Sequence, residues 1–168
     1  MKKIMLLLAA LAVFCVGCEP KLPTPEKMET TSKAVGVAAG MIANQFKIDA
    51  DVRAAIKEVM QKVAEVTPAA DQSFTDAWTP VAEEVLAKLV ADGKLTEEQS
   101  AIAKMAFQVA TKGIDYVFDV KYPKAKEVKE LVDAAIRGFT DGFLSVFSDT
   151  MKAAPVDYDK DAYEYLTK

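Results

Sequence analysis

The chain's two thiols, Cys15 and Cys18, stand three residues apart near its start, and histidine is absent. Beyond residue 18 the groups able to carry chemistry are therefore hydroxyls, carboxylates, amines and phenols. That set excludes Ser-His-Asp and Cys-His nucleophilic catalysis, His or Cys metal centres and disulfide stapling of the body. Two carboxylate groupings deserve a test. Glu97 and Glu98 are adjacent, so on a helix they point about 100° apart and stay solvated instead of converging on a substrate. Asp157, Asp159 and Asp161 alternate like the start of a calcium loop, but Ala162 and Lys168 occupy the positions where that loop needs glycine and glutamate. There is no phosphate-cradling glycine loop, no nucleophile motif and no long internal repeat. The expectation is a protein with no catalytic residue, no metal and no cofactor, and so not an enzyme.

Cys15-Val16-Gly17-Cys18 is formally a Cys-x-x-Cys, yet a redox pair of that kind sits at a strand-to-helix junction. Here it closes an apolar leader instead. Lys2 and Lys3 form a positive start, and Ile4 to Phe14 is an uncharged apolar run of 11 residues. That is the length of a signal-peptide core and too short to cross a bilayer, which takes ~20 residues. Ala10-Leu11-Ala12 offers a small-x-small cleavage site as one alternative. The other follows from resemblance: Cys15-Val16-Gly17-Cys18 resembles the lipobox of bacterial lipoprotein precursors, with Gly17 and Cys18 matching, Val16 acceptable, and Cys15 standing where an aliphatic residue is usual. The resemblance covers the leader alone. It implies cleavage between Gly17 and Cys18, acylation of Cys18 (palmitate being a typical chain) and anchorage of the mature protein to a membrane of the cell envelope. Two or more acyl chains hold stably where one holds marginally, at ~0.8 kcal/mol per buried methylene.

Removing residues 1–17 takes away two lysines and no acids, which moves the formal charge from −4 to −6. An acidic chain with only two arginines, Arg53 and Arg137, is a poor partner for nucleic acid. After Cys18 comes a stretch with Pro20, Pro23 and Pro25, whose composition favours extended polyproline conformations and suits a tether. Four segments result: a signal peptide over 1–17, the acylated cysteine and tether over 18–32, a helical domain over 33–154, and an acidic, tyrosine-containing tail over 155–168.

The elements that would position any site read as helices throughout, since no segment sustains a period of two. The first starts at Glu26 or Thr31 and runs to Lys47. The second is capped by Asp49 or Asp51 and carries Val52, Ile56, Val59, Val63 and Val66 on one face before Thr67-Pro68 ends it. The third region, Asp71–Asp92, is either one kinked helix or a turn followed by a helix from Thr79-Pro80. Gly93 stops it, and Thr96 with Gln99 forms a capping box for a fourth helix over Glu97–Val120. Tyr122-Pro123 breaks the chain before a fifth helix over Pro123–Met151. Short connections predict an all-α bundle of four or five antiparallel helices.

Two glycine pairs stand out. Gly36 and Gly40 lie on one face of the first helix, and Gly138 and Gly142 on one face of the fifth. Glycines four apart let another backbone approach closely, and the two pairs are expected to mark close helix contacts, with each other among the options. Phe139, Phe143, Phe147 and Met151 are either core or an adaptable apolar surface. Trp78 is a core anchor or a pocket wall. Tyr158, Tyr163, Tyr165 and Leu166 either pack back on the bundle or form a recognition segment. The function these features point to is an envelope lipoprotein with a non-catalytic interaction or structural domain and a protein partner. The alternative is a carrier or sensor of a hydrophobic ligand such as an acyl chain.

Overall fold

The computed structural model describes residues 22–147 and 157–168. Its regular elements are helical: α1 (Pro25–Ala43), α2 (Ala50–Val63), α3 (Phe74–Ala91), α4 (Glu97–Tyr116), α5 (Lys129–Ser145) and α6 (Lys160–Leu166). Between α4 and α5 lie one π turn, Val117–Lys121, and one 3-10 turn, Pro123–Glu127. The all-α expectation holds.

The start of α1 corrects the expected boundary of the tether. Thr24 caps the helix, its hydroxyl accepting from the Lys27 N–H at 3.3 Å, and Pro25 takes the first position, where a missing N–H costs nothing. Met28 and Ser32 are already fully buried. Residues 25–32 thus belong to the folded domain, and an extended segment can reach only to Thr24.

In α2, Asp49 is the cap, accepting from the Val52 N–H at 2.9 Å. This bond, and then one from the Gln99 side chain, pull the Asp49 carboxyl below its ordinary range. Pro80 does not begin a helix. It sits inside α3, which starts after the Ser73 cap. The apolar row Phe74, Trp78, Ala82, Leu86 and Leu89 explains why the helix continues through it. Phe74 and Trp78 are both completely buried, and burying two such rings outweighs the ~3 kcal/mol cost of an interior proline. Gly93 adopts φ +70 and terminates α3 as expected, and the Thr96–Gln99 capping box is formed in both directions.

The bundle has two halves around α4. On one side α2, α3 and α4 enclose an aromatic cluster in which Phe74 meets Trp78 edge-on at 5.0 Å and stacks on Phe118 at 5.2 Å. The Trp78 indole N–H donates to the Val66 carbonyl at 2.9 Å, so this ring is a core anchor. Asp115 of α4 takes the Phe74 N–H at 2.7 Å and both the N–H and the hydroxyl of Thr75, capping α3 from a neighbouring helix. On the other side, α5 and α6 each pack on α1. Helices adjacent in the chain run antiparallel, and four such links leave α5 parallel to α1. α1 runs antiparallel to α4, with Thr31 beside Tyr122 and Ala39 beside Gly113. α5 lies parallel to α1, with Gly138 beside Glu29 and Gly142 beside Lys33.

Candidate functional site

Gly17 and Cys18, the expected cleavage and acylation residues, lie outside the described residues, as does Met151. The remaining residues singled out by sequence are placed, and they fall into three regions.

The first is the α1–α5 seam, the most extensive helix contact in the molecule. A Cβ on Gly36 would fall on the Phe139 carbonyl oxygen and 2.9 Å from the Phe143 nitrogen; one on Gly40 would come within 2.8 Å of the Phe143 carbonyl oxygen. From the other side, Cβ atoms on Gly138 and Gly142 would overlap the carbonyl oxygens of Glu29 and Lys33. The four glycines therefore meet one another's helices, backbone against backbone. Ser32 continues the small-residue row of α1 one turn earlier and is fully buried, its hydroxyl without a partner. Phe139 and Phe143 are core residues, completely buried. At the rim, Arg137 pairs with Glu29 at 3.3 Å.

The second region is the dock of α6. The tail folds back onto the bundle: Ala162 is fully buried, and Tyr165 packs on Tyr116 with ring centroids 4.8 Å apart. Asp159 organises it. Its backbone N–H donates to the Ala34 carbonyl at 3.2 Å, one carboxylate oxygen caps α6 through the Ala162 N–H at 2.9 Å, and the other pairs with Lys121. Thus the acid that suggested a calcium loop is a cap and a latch. Lys121 reaches it because the last turn of α4 widens to a π turn, a register change that periodicity does not announce. Burial opposes the Lys121 charge, but the hydrogen bond and attraction from Asp159 outweigh it and raise its pKa. Burial raises that of the Tyr116 phenol.

The third region is a set of open surface grooves. One, of about 530 Å³, lies between α1, α2 and the C-terminal part of α5 and is lined by Lys33, Arg53, Lys57 and Asp141 over Ala54, Leu144 and Phe147. Of the aromatic set on α5, Phe147 alone among the described residues faces this groove; it meets Phe143 edge-on at 5.3 Å. Sequence reasoning missed this grouping because its cations lie on α1 and α2 while its floor comes from the far end of α5. Among the described residues no cluster of three His, Cys, Asp or Glu could hold a metal ion, and no helix is long and apolar enough to cross a membrane.

No family model, curated protein or solved structure matches this chain.

Proposed function

We propose that this protein is a bacterial envelope lipoprotein, fixed to a membrane through acylated Cys18, whose all-α domain acts as a non-catalytic interaction or structural module. The observation that carries this reading is the leader: Lys2-Lys3, the apolar run Ile4–Phe14, then Gly17-Cys18. The domain suits the role. Its interior is occupied by interlocked rings and closely packed helix backbones. From Cys18 to the Thr24 cap there are six residues, which span at most ~20 Å, so the bundle would sit close to the membrane surface.

Metabolic labelling with radioactive palmitate tests the anchor. The parent chain is expected to incorporate label and the Cys18→Ser variant to lose it. An unlabelled parent overturns the proposal.

A further inference from the structure

We propose that the groove between α1, α2 and α5 is a binding site for a small anionic amphiphile, a carboxylate or phosphate head on an apolar body. This assignment goes beyond the anchor and does not depend on it.

Charge separates this groove from the others described. It gathers Lys33, Arg53 and Lys57 against the single carboxylate Asp141, in a chain whose formal charge is −4. The groove between α3 and α4 holds Glu83 and Glu97 against Lys104, and Lys104 is paired with Glu83. That between α2 and the α3–α4 turn holds Asp51 and Glu58 against Lys94. The groove at the start of α1 holds Glu26 and Glu29 against Lys33. Only the first has an excess of cations. Neither Lys33 nor Lys57 has an acid within ion-pair distance among the described residues. Lys33 and Lys57 line the same concavity, so an anion seated there is attracted by both ammonium groups. The floor supplies the second half of the recognition. Leu144 and Phe147 are partly exposed there beside Ala54, and the hydroxyl of Ser145, the remaining lining residue, donates to the Gly142 carbonyl. A head between Lys33 and Lys57 would lay its apolar body along Leu144 and Phe147. The volume, about 530 Å³, suits a ligand of that kind.

The full chain in nanodiscs of neutral phosphatidylcholine is titrated with octanoate, octyl phosphate and octanol, and binding is read by ligand-detected NMR. A parallel titration of the Lys33→Glu/Lys57→Glu double variant subtracts partition into lipid, and circular dichroism checks its fold. Saturable binding of at least one anion, about tenfold weaker or more in the variant and for octanol, supports the site. Preference between octanoate and octyl phosphate tells a fatty acid source from a lysophosphate source. Equal binding of octanol and both anions, equal binding by a folded variant, or no saturable binding overturns it. Should the double variant fail to fold, Lys57→Gln, at an exposed position on α2, replaces it under the same criteria.

Discussion

α1 receives two helices by opposite means. α5 meets it through missing side chains: four glycines bring two backbones into contact, and almost nothing polar joins the helices except Arg137 and Glu29 at the rim. α6 meets it through a backbone hydrogen bond to Ala34 and is held beside it by the end of α4, where Asp159 pairs with Lys121 and Tyr165 packs on Tyr116. The seam depends on shape, has no adjustable atom and tolerates no added volume. The dock depends on charge and on a few exposed contacts, and α6 spans only seven residues. The difference teaches that a firm contact and a releasable one can lie side by side in one bundle, provided that one is written in sizes and the other in ionisable groups.

The largest effect should come from breaking the seam. Gly142→Leu drives a side chain into the Lys33 carbonyl and is expected to cost at least ~3 kcal/mol, lowering the melting temperature by roughly 10 °C. Unchanged melting would remove the glycines from the account. Next, Asp159→Ala deletes both a cap and a partly buried ion pair, with an expected cost of about 1–2 kcal/mol confined to α6. Hydrogen exchange should quicken over residues 160–166 while the α1–α5 amides stay protected; equal acceleration in both would mean that dock and seam are one cooperative unit.

Alkaline pH should act in the same place more gently. The pKa values of Lys121 and Tyr116 are raised above their ordinary 10.5 and 10.0, so both groups favour the folded form while protonated. Their contribution is complete at neutral pH and is lost as pH climbs past those values and through the raised ones. Exchange in α6 should therefore rise selectively above about pH 10, and this pH dependence should shrink in the Asp159→Ala variant. The smallest effect belongs to Ser32→Ala. It removes a buried hydroxyl without a partner and keeps the residue small, so stability should change by less than ~0.5 kcal/mol or rise slightly. A large loss would show that the seam reads polarity as well as size.

What the sequence disclosed follows the same division. Helix stripes, the Gly93 stop, the Thr96–Gln99 box and the glycine pairs were legible because each is local, set by residues within one or two turns. The Thr24-Pro25-Glu26 start of α1 was equally local, but three prolines in the stretch around it argued for extended chain, and burial of Met28 decided otherwise. The parallel direction of α5 relative to α1 follows from four short links that each reverse the chain, whereas the meeting of the two glycine pairs was one option among others. The Asp115 cap on α3 and the Lys121–Asp159 latch were not legible, since their partners are 41 and 38 residues apart. The cationic groove was hidden for the same reason, while the leader motif could be read only by its resemblance.

The parallel pairing of α1 with α5 also sets a timetable. The first described helix finds its chief partner more than a hundred residues later, the Glu29–Arg137 pair alone spanning 108 positions. Until then the face of α1 that α5 will cover, with Ser32, Gly36 and Gly40, has no partner. Completion of the fold must wait for nearly the whole polypeptide, and a late-closing topology of this kind leaves a long interval in which the chain can still be threaded, unfolded, through a narrow channel.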